Sequence, residues 1–132
     1  MSSQIHVRVY IEDTDAGRIV YHARYLHYFE RARTEWLRDL GLEQQGLLDQ
    51  GVQLVVRSIT CRFKRPARLD DVLSVSTTVL RHSSCSAVFE QRIECNGEHL
   101  CDAEVDIACI DAHRQRPMRW PSVFNAAFTN DH

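Results

Sequence analysis

Between Ile5 and Arg38 the spacing of apolar residues changes from two to between three and four, with three carboxylates and a glycine at the changeover. Ile5, Val7, Val9 and Ile11 alternate with His6, Arg8, Tyr10 and Glu12, the pattern of a strand with one buried face. From about His22, Tyr25, Tyr28, Phe29, Ala32, Trp36 and Leu40 recur at helical steps, with His27, Arg31, Thr34 and Arg38 on the opposite face. A strand must therefore give way to a helix of about five turns across the acidic segment. Gly41 is placed to end that helix with a left-handed cap. Arg33 falls at the edge of the apolar stripe, where a bare charge is costly. Either a carboxylate partner such as Glu30 or an outward snorkel is expected.

A short helix over Glu43 to Asp49, closed by Gly51, precedes a region that reads as strands to the end of the chain. Leu54 to Phe63 is rich in β-formers. Three period-two series follow: Leu73, Val75, Thr77 and Val79; Phe89, Gln91, Ile93 and Cys95; and Cys101, Ala103, Val105, Ile107 and Cys109. Asn96-Gly97 is the expected hairpin turn, because both residues tolerate positive φ. Short links make these strands antiparallel neighbours. The order strand, long helix, four strands specifies an α+β layout with a five-stranded antiparallel sheet wrapped on one helix. Nothing repeats and no linker intervenes, so residues 1–132 form a single domain. A sheet wrapped on one side of a helix leaves edges uncovered, which points to a homodimer or homotetramer.

Bulk properties exclude several function classes. The 132 residues, 44% apolar, suffice for one real core. A net charge of −2 gives no general grip on nucleic acid or anionic lipid. Five cysteines, with no C-x-x-C spacing, fit neither a closed disulfide set nor a zinc knuckle and read as reduced thiols. His22 and His27 are five apart, which misses helical metal-ligand spacing, so no metal is expected. With no apolar run near the ~20 residues of a membrane span and no secretory leader pattern at MSSQIHVRV, a cytoplasmic protein is expected.

The chemistry-bearing residues gather where the period changes. Glu12, Asp13 and Asp15 sit just ahead of a helix start, so a carboxylate and unpaired backbone N–H groups become neighbours, an arrangement suited to attack on a carbonyl. The bland alternative is a charged turn in which Asp15 merely caps the helix. Lys64, Arg65 and Arg68, with Arg81 on a later strand, form the densest basic cluster. It reads either as a phosphate-binding surface or as a solvated loop beside Asp70 and Asp71.

The run Y-x-E-D-T-D-A-G-x-I-V-Y-H-A-x-Y at Tyr10 to Tyr25, followed by F-E-R-A-R-T-E-W-L at Phe29 to Leu37, resembles the hot-dog-fold acyl-CoA thioesterases. Within them it is most similar to the 4-hydroxybenzoyl-CoA thioesterase group and its Tol-Pal-associated branch. F-K-R-P-A-R-L-D-D-V-L (Phe63 to Leu73) and R-P-M-R-W-P (Arg116 to Pro121) extend the resemblance over most of the chain. It implies a hot-dog fold and hydrolysis of acyl-CoA to a carboxylic acid and CoA, with CoA part of the substrate and no separate cofactor. It places catalysis on Asp15 and the oxyanion donors on the backbone N–H groups of Tyr21 and His22; Asp13 and Glu12 beside Asp15 are candidates to tune it by like-charge repulsion. Aspartates, with a reference pKa near 3.9, are weak bases at neutral pH. Direct attack is therefore favoured slightly over base catalysis, and both stay open. An acyl-carrier-protein thioesterase, or a non-catalytic acyl-binding or scaffold protein, are the alternative readings.

Overall fold

The change of period is where the chain turns from β1 (Ser3–Arg8) into α1 (His22–Asp39). The computed structural model describes residues 2–130. α1 has 18 residues, about 27 Å of rise, and is followed by Gly41 at φ +80°. It buries Tyr25, Tyr28, Phe29, Ala32, Trp36 and Leu37, while Leu40 is only partly buried. A short α2 (Gln44–Asp49) leads into β2 (Val52–Phe63), β3 (Val72–His82), β4 (Ser86–Cys95) and β5 (Glu98–Asp111). Asn96 and Gly97 both take positive φ, 52° and 82°, in the β4–β5 hairpin.

Five long antiparallel strands form as expected, in the order β1-β3-β4-β5-β2. Two expectations need correction. Consecutive strands are neighbours only from β3 to β5, whereas β2 lies at the opposite edge from β1 and pairs with β5. The link from Lys64 to Asp71 is long enough to carry the chain across the sheet. Nor does the chain end in strands: after a two-residue β6 (Arg116–Pro117) beside β5 comes α3 (Val123–Asn130). Phe124, Ala127 and Phe128 do stand at i, i+3 and i+4 in that segment, but one such repeat is too short to mark a helix by period alone. α3 caps the aromatic core: Trp120 lies 4.9 Å from both Phe124 and Phe128, and Trp36 lies 4.9 Å from Phe89.

The helix is fixed to the sheet by one buried side chain. Gln91 of β4, fully buried, donates from Nε2 to the Phe29 carbonyl at 2.9 Å and to Thr77 Oγ1 at 2.9 Å. Its Oε1 accepts from Arg33 Nη1 at 3.0 Å. Arg33 thus takes a neutral amide as its hydrogen-bond partner, where a carboxylate partner or an outward snorkel was expected. Burial lowers its pKa from the ordinary arginine value, and Glu30 nearby opposes that shift.

The strand register shows what the helix leaves open. Leu54, Val56, Ile59, Cys61 and Phe63 pair with Cys109, Ile107, Val105, Ala103 and Cys101, so they share the concave, helix-side face. The β5 partners are buried, yet Val56, Ile59 and Phe63 are 45%, 37% and 53% exposed. On the convex face, Asp106 pairs with Arg57, Glu104 with Arg81, and Asp102 with Lys64 and Arg92. Partial burial pushes the Asp102 carboxyl up, but hydrogen bonds from His99 and Lys64 outweigh it and hold the carboxyl below its ordinary value.

Two outcomes follow from this packing. Gln91→Leu strands the Thr77 hydroxyl and the Arg33 guanidinium without their amide partner, and urea denaturation should read a loss of about 2–4 kcal/mol. A carboxyl acidified by folding contributes stability above the unfolded value near 3.9 and loses it as pH falls through the lower folded value. Thermal melts between pH 5 and 3 should therefore show a shallower acid loss for Asp102→Asn than for the parent.

Candidate active site

Between β1 and α1 the backbone builds a small ribbon. The Tyr21 N–H donates to the Asp13 carbonyl at 3.0 Å, Thr14 bridges Val20, and the Asp15 N–H donates to the Ile19 carbonyl at 3.0 Å. A third segment joins on the far side. The Val20 N–H reaches the Ala67 carbonyl at 2.8 Å, Ile19 bridges Arg68, and the Leu69 N–H reaches the Arg18 carbonyl at 3.1 Å. After a single 3-10 turn at Ile11–Asp13, isolated bridges thus link three short antiparallel segments around Thr14, Ile19 and Arg68, tied to α1 where Tyr25 Oη accepts the Ala67 N–H at 2.9 Å. Asp15 lies about 7 Å along the ribbon from the rung at Tyr21, the residue that caps α1.

Asp15 is exposed. Its Oδ1 accepts the Gly17 N–H at 2.9 Å, while its Oδ2 makes no hydrogen bond or ion pair among the described residues. The capping alternative fails: α1 is capped by Tyr21, six positions later, with no side-chain cap bond. Gly17 keeps the turn open because a Cβ there would come within 3.3 Å of Asp15 Oδ1. The left-handed residue of this turn is Arg18, at φ +63°. A non-glycine residue held there costs about 1 kcal/mol or more.

Asp13 and Glu12 are occupied elsewhere. Asp13 is 8% exposed; its Oδ2 accepts the Tyr10 N–H at 2.9 Å, and its Oδ1 stands 3.3 Å from Arg24 Nε. Glu12 Oε2 lies 3.9 Å from Arg24 Nη2. Arg24, in the first turn of α1, thus pairs closely with Asp13 and reaches the more exposed Glu12 at longer range. Sequence reasoning passed it over, although an arginine placed there after an acidic triplet is a readable signal. The Tyr28 hydroxyl is buried near Asp13, and burial, then the Asp13 carboxylate, pushes its pKa up.

The helix end offers two donors. Tyr21 needs correction, because its N–H is already engaged by the Asp13 carbonyl. The N–H of Arg24 is likewise engaged, by the Tyr21 carbonyl at 2.8 Å. Those of His22 and Ala23 have no acceptor among the described residues, and they stand at the positive end of an 18-residue helix. The N–H groups left open at the start of α1 are thus those of His22 and Ala23, while that of Tyr21 is engaged. The His22 ring is exposed and lies 4.6 Å from that of Tyr21.

The basic candidates separate. Lys64, Arg65 and Arg81 each meet a carboxylate, of Asp102, Glu98 and Glu104 respectively. Arg68 instead joins the ribbon. The cysteines are free thiols; burial pushes Cys101 up to about 12 and Cys109 up to about 11, which leaves both protonated and poor nucleophiles at neutral pH. Two cavities flank α1. An open polar groove of about 830 Å³ runs beside β1 past Glu12, Asp13 and Arg24, and an apolar cavity of about 270 Å³ is lined by Trp36, Phe89, Ile107, Trp120 and Phe124 with Arg33. Asp15 lines neither.

This arrangement has relatives. Residues 9–128 match the model of the thioesterase-like superfamily. The chain is 48% identical over 123 residues to the acyl-CoA thioesterase YbgC of Haemophilus influenzae, covering 92% of this chain and 90% of that one. It is 46% identical over 124 residues to the acyl-CoA thioester hydrolase YbgC of Escherichia coli O6:H1, covering 92% of each. A crystal structure of a probable thioesterase from Bartonella henselae superposes with a TM-score of 0.85 at 38% identity, over 92% of this chain and 100% of that one. With its curled antiparallel sheet around one long helix and a family match across nearly its whole length, the chain belongs to the thioesterase-like, hot-dog superfamily.

Proposed function

We propose that this protein hydrolyses acyl-CoA thioesters, as the names of its relatives from H. influenzae and E. coli suggest, with Asp15 as the nucleophile. The observation that carries this reading is the pairing of one unengaged carboxylate oxygen, on a hydrogen-bonded ribbon, with two unengaged N–H groups at the start of α1. Asp15 Oδ2 adds to the thioester carbonyl carbon. The His22 and Ala23 N–H groups stabilise the oxygen as charge develops on it. Collapse breaks the carbon–sulfur bond, CoA leaves as a thiolate, and an acyl–aspartyl anhydride remains. Water then cleaves the anhydride and restores the carboxylate. The bond from Gly17 to Oδ1 aims the carboxylate, and Arg24 offsets the charge of the buried Asp13 two residues away.

The uncovered concave face of β2 supports a second element of the reading: the working unit is a homodimer joined along this edge. β2 is a twelve-residue edge strand with apolar Val56, Ile59 and Phe63 open to solvent, the kind of edge that natural sheets cover. A second copy of the same strand covers both edges at once.

Three measurements test these statements. Asp15→Asn should lower kcat for acyl-CoA by about 10²–10⁴-fold with an unchanged melting temperature, and rapid quench of the parent should trap an acyl group on Asp15. Product formation with no covalent species would assign Asp15 to base catalysis instead. His22→Ala keeps the backbone donor and should change kcat only a few-fold. His22→Pro, at a helix position that accepts proline after the extended Tyr21, removes the N–H and should cost about 10²-fold. Ile59→Asp should shift the sedimentation coefficient from dimer to monomer, and an unshifted boundary rejects the β2 interface.

A further inference from the structure

The three-segment ribbon does more than hold Asp15. In its register Asp15 lies opposite Ile19, and Ile19 lies opposite Arg68, so these side chains form one cross-strand row on one face. Two interstrand spacings separate Asp15 from Arg68, about 10 Å between Cα atoms. Arg18 stands one residue before Ile19 at the tip, its N–H bonded to the Asp15 carbonyl at 3.0 Å. Arg18 and Arg68 are exposed, and neither forms an ion pair among the described residues. The nearby carboxylate of Asp71 accepts the backbone N–H of Arg68 at 2.9 Å. Arg24, the third arginine of this region, is committed to Glu12 and Asp13.

Arg18 adds an argument of its own. It occupies a left-handed conformation that glycine adopts without strain, in a turn that already contains Gly17. The turn thus holds an exposed arginine three residues from Asp15 where glycine would fit without strain. The expected phosphate contacts at Lys64, Arg65 and Arg81 are each answered by a carboxylate on the sheet or the β4–β5 turn.

We propose that Arg18 and Arg68 grip the phosphates of the substrate's CoA moiety, the thiol arm crossing the ribbon along the row that begins at Asp15. The proposal rests on the thioesterase reading above and names the group through which that site recognises its substrate. Arginine suits the task because its planar fork meets phosphate oxygens in pairs. A substrate held by its phosphates is positioned with its carbonyl over the start of α1, and its acyl group is left free to vary.

The test compares one acyl group on two carriers: CoA, and N-acetylcysteamine, which keeps the thioester and lacks every phosphate. Arg18→Gly places the unstrained residue in the turn, so loss of fold does not confound it. In Arg18→Gly/Arg68→Gln the KM for acyl-CoA should rise about 10- to 100-fold with kcat within a few-fold. KM for the truncated thioester should stay unchanged, as should both values in Arg81→Gln. The KM of the parent for acyl-CoA should also rise with salt more steeply than that of the double variant. An equal rise on both carriers assigns the two arginines a structural role and overturns the proposal, as does no rise on either. If the parent hydrolyses neither carrier, the thioesterase reading fails, and calorimetric titration with CoA still decides the phosphate site. Binding by the parent that is lost in the double variant upholds it, and equal binding, or none, rejects it.

Discussion

The carboxyl-bearing residue that the structure leans on most is Asp13, which lies two positions from the proposed nucleophile. Its carbonyl accepts the N–H of the residue that caps α1; its two carboxylate oxygens reach back to Tyr10, two residues past the strand, and across to Arg24 in the helix. One residue thus joins strand, ribbon and helix. A carboxylate this buried is tolerable only with such partners, because an uncompensated charge would cost several kcal/mol. Asp15, two positions on, keeps one carboxylate oxygen unengaged among the described residues because Asp13 has absorbed the local structural demands.

Much of the fold was legible in the sequence, and the reason is local. The boundaries of α1, the Asn96-Gly97 turn and the alternation on β3, β4 and β5 depend on residues close in the chain, where period and turn chemistry speak directly. The position of β2 at the far edge was not legible, because strand order depends on which surfaces meet after a crossover. α3 was missed since only Phe124, Ala127 and Phe128 reveal it, and their pattern gains meaning only from Trp36 and Trp120 beneath.

The site divides along the same line. The positions of Asp15 and of the helix start were readable from spacing together with resemblance to a known family. That the N–H of Tyr21 is engaged was not, since it depends on a hydrogen bond across the ribbon to Asp13. The partners of the basic cluster were hidden for a similar reason. Lys64, Arg65 and Arg81 look like a ligand surface in one dimension, and only the pairing of strands reveals the acidic residues that answer them.

Gln91 bears on how the molecule moves. By bonding a carbonyl in the middle of α1, it acts as a pin that blocks the helix from sliding along its own axis, because any such slip must first break the bonds to Phe29 and Thr77. Helix and sheet are thereby held in one register, and the rung that joins them is an amide with no charge to titrate.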